Sequence, residues 1–138
     1  MILEALTCMA LNIYWEARSE STAGKLAVGH VVINRVNSDR YPDDVCSVVK
    51  EAIVYSGTNK PVLNQCQFSW YCDNKPDTVS NPRAWASAMT VAVTLMEGSH
   101  DITDGAINYH ALDVLPHWAD SKKVTSRIDN HIFYKDIK

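Results

Sequence analysis

The sequence predicts an α+β fold: a mostly helical body carrying a small antiparallel β-sheet. Two observations carry that expectation. Up to about residue 98, apolar residues recur at helical spacing in segments separated by capping and turn residues. Beyond residue 104 the texture changes to short aromatic runs that read as strands. No internal repeat or low-complexity linker divides the chain, so residues 1–138 read as one domain.

Leu3, Leu6, Ala10, Ile13 and Ala17 form one apolar stripe and predict a helix over residues 3–17. Ser19 to Ser21 break it, and Ser21 or Thr22 can cap a second helix. There Leu26, His30, Ile33 and Asn37 mark one side, while Val28, Val31 and Val32 widen the apolar face. A helix apolar over so much of its surface is expected at the centre, with His30 a hydrogen-bonded core histidine. After the turn Asn37-Ser38-Asp39, Pro42 is expected in the first turn of a third helix. Asp43 and Asp44 would sit near its positive end, with Val45, Val48, Val49 and Ala52 on its buried face.

Residues 55–65 read as a surface loop. The aromatic stretch Cys66-Gln67-Phe68-Ser69-Trp70-Tyr71-Cys72 reads as a strand or a tight irregular segment. Asn81-Pro82 supplies a cap and a first-turn proline for a fourth helix. Trp85, Ala88, Met89, Ala92, Leu95 and Met96 would line its inner face, and Gly98 would end it. Residues 106–111 and 130–134 read as strands, with a long loop or a hairpin of elaborated tip between them.

Composition excludes several function classes. With 13 basic and 16 acidic residues, net charge −3, and no basic patch, nucleic acid is not an expected partner. No stretch approaches the roughly 20 apolar residues of a membrane span. Met1 to Leu6 lack a basic flank, and Glu4 interrupts their apolar run. They read as the start of the first helix rather than a signal peptide, which implies synthesis in a cytoplasm without a signal. Cys8, Cys46, Cys66 and Cys72 read as partly buried thiols, although Cys66 and Cys72 could pair in an oxidising compartment. The close spacing of a zinc motif is absent, so no metal or other cofactor is expected.

The most informative residue is Glu16, near the end of the first helix and preceded by Tyr14 and Trp15. A carboxyl held against rings loses water around its charged form, so its pKa rises, and it becomes a proton donor suited to glycosidic bond cleavage. Gln67, Phe68, Ser69, Trp70, Tyr109, His110 and Trp118 add aromatic and hydrogen-bonding groups on non-helical segments. Rings stack on the apolar faces of sugars while amides and hydroxyls hold their edges. Phe68 and Phe133 are the better fit to a core. No second acid stands out: the chain turns between Glu16 and Glu20, and Asp73 is a weaker candidate.

In order along residues 8–134, the chain resembles the SleB-type cell wall hydrolases, the spore-cortex-lytic family also met among phage lysis proteins. The matching stretches are Glu16-Ala17-Arg18-Ser19-Glu20, residues 27–36, residues 41–49, Cys66-Gln67-Phe68-Ser69-Trp70, Asn108-Tyr109-His110-Ala111, Pro116-His117-Trp118 and His131-Ile132-Phe133-Tyr134. The resemblance implies a lysozyme-like fold acting on peptidoglycan glycan strands, with Glu16 as the catalytic acid. It also implies lytic transglycosylation between N-acetylmuramic acid and N-acetylglucosamine, leaving a 1,6-anhydro end. Gln67, Ser69, Trp70, Tyr109 and His110 are the expected substrate-binding residues. Ser19 departs from the family's usual glycine, which permits a left-handed turn that serine tolerates less well.

The expectation is therefore a monomeric, single catalytic domain, a phage endolysin reaching the wall after release. The nearest rival is a hydrolytic muramidase. A non-catalytic glycan-binding module and a zinc amidase using His110, His117, His131 and the cysteines are the rivals of other classes.

Overall fold

In the computed structural model, residues 2–137 are described. Helices α1 (Ile2–Ala17), α2 (Thr22–Val36) and α4 (Pro82–Glu97) form the body, with the short α3 (Val45–Val49) beside them. Met9, Ile13 and Tyr14 of α1 meet Val32 of α2, Val48 and Val49 of α3, and Val91 and Leu95 of α4 in one buried core. Burying such side chains stabilises by about 1.5–3 kcal/mol each. The apolar stripe of α1 is real but fades at its start, where Leu3 is 68% exposed. Met96, expected inside, is 37% exposed at the last turn of α4.

Cap chemistry sets the helix ends. Ser21 caps α2, its hydroxyl accepting from the Gly24 amide at 3.1 Å. Asn81 caps α4 in the same way through the Ala84 amide, and Gly98 ends it with φ 109°. The third helix begins three residues later than Pro42 suggests. Asp44 accepts from the amide and hydroxyl of Ser47, and that side-chain cap fixes the start at Val45. Between α1 and α2 the chain turns through a Glu20 amide bond to the Ala17 carbonyl. Ser19 is not among the residues of positive φ, so the serine carries no left-handed strain.

Residues 55–65 are not a plain loop. β1 (Ala52–Val54) pairs antiparallel with β2 (Pro61–Cys66), which takes Ala52 out of the third helix. Ile53, Val54 and Leu63 are exposed in this hairpin, so no buried alternation marks it in the sequence. A single turn of 3-10 helix, Ser69–Tyr71, follows. The aromatic stretch is thus the tight irregular segment rather than a strand.

The C-terminal third forms a second sheet in the order β3 (Asn108–Ala111), β5 (His131–Lys135), β4 (Lys123–Ile128), all antiparallel. β4 lies within the segment read as a long loop or the elaborated tip of a hairpin; it is a polar edge strand with Val124 exposed. Period-2 alternation splits the faces of β3 and β5. Phe133 packs with Tyr109 on Ala17, Ala27, Val28 and Val31, so this sheet covers the end of α1 and one face of α2.

Two glycines permit close approach. A methyl at Gly24 would meet the Asp129 carboxylate and come within 2.8 Å of the Glu20 Cβ, and one at Gly29 would overlap Leu95 on α4.

All four cysteines are bridged, Cys8 to Cys46 and Cys66 to Cys72, with no free cysteine among the described residues. The expectation of partly buried thiols is corrected. The Cys66–Cys72 pairing was one open possibility. Cys8 and Cys46 meet because α1 and α3 pack side by side, a contact that their 38-residue separation does not reveal. Closing a loop of that length stabilises the fold by about 4 kcal/mol on chain-entropy grounds. Cys8→Ala/Cys46→Ala should therefore lower the unfolding free energy from urea titration by about that amount while the far-ultraviolet circular dichroism of the folded state is kept.

Candidate active site

Glu16 occupies the last turn of α1, where the helix passes under the three-stranded sheet. Tyr109 comes down from β3, and its hydroxyl donates a short hydrogen bond to Glu16 Oε1. Burial raises the Glu16 pKa above the usual carboxyl value, against the Tyr109 hydrogen bond and the Arg35 charge, which both favour the anion. Burial, and then the negative charge of Glu16, push the Tyr109 phenol well above its ordinary pKa. Tyr109 is thus held as a protonated donor.

Arg35 is the residue that sequence reasoning missed. It is 4% exposed on the apolar face of α2. Its Nε donates to the Ile107 carbonyl at 2.8 Å, and its guanidinium lies 4.9 Å from the Tyr41 ring centre and 5.2 Å from that of Phe68. Nη1 is buried without a hydrogen-bond partner. The signal was a cation between Val32 and Val36 on a valine-rich helix. It fixes Phe68, and through Phe68 the segment that follows β2, near the site.

The other expected site residues divide. Gln67 and Ser69 are exposed on the segment bracketed by the Cys66–Cys72 bridge. Their side chains hydrogen-bond no other described residue and are free to meet a ligand. Trp70 is corrected: it is 6% exposed in the core, with its indole N–H donating to Asn12 Oδ1 at 2.9 Å. No face of its ring is open to a sugar. His110 is corrected as well. It alternates with Tyr109 along β3 and so points to the opposite face, stacked on Tyr134 at 5.2 Å and edge-on to Trp118. Its Nδ1–H donates to the Ala111 carbonyl, so Nε2 accepts from the Tyr134 hydroxyl at 2.7 Å.

The two other carboxyls considered are engaged elsewhere. Glu20 Oε2 accepts from Asn130 at 3.2 Å, and its Oε1 lies 3.0 Å from His131 Nδ1. Asp73 accepts from the Lys75 amide and closes a local turn. The bridged cysteines offer no thiolate to a metal. No helix among the described residues is long and apolar enough to cross a membrane.

Residues 19–134 match the protein family described as Cell Wall Hydrolase, a match that begins three residues after Glu16. The spore cortex-lytic enzyme of Halalkalibacterium halodurans is 29% identical over 126 residues, covering 91% of this chain and 33% of that protein. The spore cortex-lytic enzyme of Bacillus subtilis is 35% identical over 48 residues, 16% of its length. The chain thus spans a third or less of these relatives. Among solved structures, the catalytic domain of the germination-specific lytic transglycosylase SleB from Bacillus anthracis superposes with a TM-score of 0.70 at 26% identity, over 95% of this chain and 93% of that one. The Bacillus cereus SleB catalytic domain gives 0.66 at 24% identity, over 95% and 89%.

The raised Glu16 pKa has a consequence for stability. An acid whose folded pKa lies above its unfolded value binds more protons in the native state. Its ionisation therefore destabilises the fold once pH exceeds the unfolded value of about 4.3. Glu16→Gln should raise the urea midpoint at pH 7, and the gain should vanish below pH ~4, where the parent side chain is neutral in both states. An equal gain at both pH values would contradict a burial-raised Glu16.

Proposed function

The chain belongs to the cell wall hydrolase family, and from that footing we propose that residues 1–138 act as one catalytic domain that cuts peptidoglycan strands by lytic transglycosylation. Glu16 is its proton-transferring carboxyl. The observation that carries this reading is the Glu16 carboxyl, its pKa raised by burial and its Oε1 hydrogen-bonded by Tyr109. The other two candidate carboxyls, Glu20 and Asp73, are held in hydrogen bonds of their own. The lytic transglycosylase SleB of Bacillus anthracis, similar over nearly its whole catalytic domain, supports the same reaction class.

A conventional glycosidase needs two carboxyls, about 5–5.5 Å apart for retention or roughly 6.5–9.5 Å for inversion. Transglycosylation needs one. Glu16 protonates the leaving glycosidic oxygen as the bond from the muramic C1 breaks. The muramic 6-hydroxyl then attacks C1, and its proton passes to the Glu16 carboxylate, which regenerates the acid. No water is consumed. A raised pKa serves both steps, because Glu16 must be protonated at rest and basic once it has donated. Tyr109 holds the carboxyl in one orientation throughout, and the Arg35 charge supports the anion formed between the steps.

The exposed Gln67 and Ser69 are proposed to hold the N-acetyl and hydroxyl groups of the sugar, and the partner is a glycan strand met by a monomer.

Glu16→Gln keeps the shape and removes the titrating proton. Its rate of release of soluble fragments from purified peptidoglycan should fall roughly a thousandfold, within the range general acid–base catalysis supplies. Parent-like lysis by this variant would exclude Glu16 as the acid and leave a glycan-binding role. For the parent, activity should fall as pH rises through the Glu16 pKa, because the donor form is then lost.

A further inference from the structure

Glu20 is a second carboxyl four residues from Glu16, with its side chain only 8% exposed. Burying a carboxylate is costly unless it is paired, and its two partners both come from the far sheet. Asn130, in the β4–β5 turn, donates to Oε2 at 3.2 Å. His131, the first residue of β5, brings Nδ1 to 3.0 Å from Oε1, close but off the line of a good hydrogen bond. Beside this contact, Asp129 accepts from the Ser21 amide at 2.8 Å and from its hydroxyl at 2.6 Å. The turn that follows Glu16 is therefore latched to the β4–β5 turn.

The His131 ring also meets the catalytic machinery. His131 and Tyr109 lie 5.1 Å apart, ring to ring, at 84°. Phe133 lies 5.6 Å from Tyr109 and 6.2 Å from His131, so the three rings form one cluster. We propose that Glu20 and His131 form a positioning pair for the proton donor: the buried carboxylate holds the imidazole, and the imidazole holds the Tyr109 phenol against Glu16. Neither touches the sugar. This rests on the reading of Glu16 as the acid. Burial lowers the His131 pKa against the charges of Glu20 and Asp129, with His110 also lowering it. Tyr109 faces the ring as well, with Glu16 and Arg35 beyond it. Burial disfavours the charged ring, so the imidazole acts through shape and contact.

The test is the side-chain carbon resonance of Glu16 followed against pH in the parent and in Glu20→Ala, alongside kcat and KM on purified peptidoglycan. Removing a neighbouring negative charge would by itself lower the Glu16 midpoint. Loosening the Tyr109 hydrogen bond raises it, since that bond favours the anion. The proposal expects a higher midpoint, and a kcat down roughly 10- to 100-fold, the scale of small misplacements, with KM within about threefold. In a double-mutant cycle, Glu20→Ala and His131→Ala should cost little more together than singly. His131→Phe is a second variant for use where Glu20→Ala fails to fold. It keeps the ring packing and loses only the carboxylate contact, and a smaller rise is expected. A midpoint that stays or falls in a folded variant, or a loss confined to KM, overturns the pair. Retained activity in Glu16→Gln would instead overturn the assignment of the acid, and the Glu16 titration would still decide the pair.

Discussion

The contact on which the site depends joins residues 93 positions apart: the Tyr109 hydroxyl on β3 and the Glu16 carboxyl on α1. It forms only if the three-stranded sheet lies across the end of α1. That placement needs Phe133 against Ala17, Val28 and Val31, and Asp129 on the amide that opens α2. Gly24 is a condition of the same fit, because a methyl there would strike Asp129. Burial lifts the Glu16 pKa, and the sheet that covers it also supplies the Tyr109 donor that fixes its orientation. Stability is given up at neutral pH to hold a carboxyl in this state, as functional sites commonly require.

The helical body was legible because its signals are local. The stripes of α1 and α4, Ser21 before α2, and Asn81-Pro82 before α4 each act within one or two turns. Where a local rule failed, another local rule won: the Asp44 cap overrode Pro42. β1, β2 and β4 were not legible, because their residues are half-buried or exposed and show no period-2 alternation. Strand pairing there is a matter of partners distant in sequence. The Cys8–Cys46 bridge was hidden for the same reason: it reports how α1 and α3 pack.

At the site, chemistry was easier to read than orientation. Glu16 and Tyr109 are joined by a hydrogen bond between α1 and β3, a pairing that neither residue's neighbours in sequence reveal. Trp70 and His110 carry sugar-binding chemistry but face away, one into the core on Asn12 and the other across β3 from Tyr109. A strand's alternation distinguishes Tyr109 from His110 once the sheet's inner face is known, and the sequence alone does not reveal which face that is. Arg35 was overlooked because a buried arginine in a valine-rich helix looks like an exception; it is the cation that clamps Phe68 and stands near the carboxyl.

One carboxyl that both gives and takes the proton is the central claim, and the source of the oxygen at the cut end tests it most directly. Peptidoglycan should be digested in water enriched in oxygen-18 and the muramic ends weighed by mass spectrometry. Internal attack by the 6-hydroxyl predicts ends lighter by one water and free of the label. Reducing ends carrying one labelled oxygen would mean that a base activates water, and a site built on Glu16 alone would then be wrong.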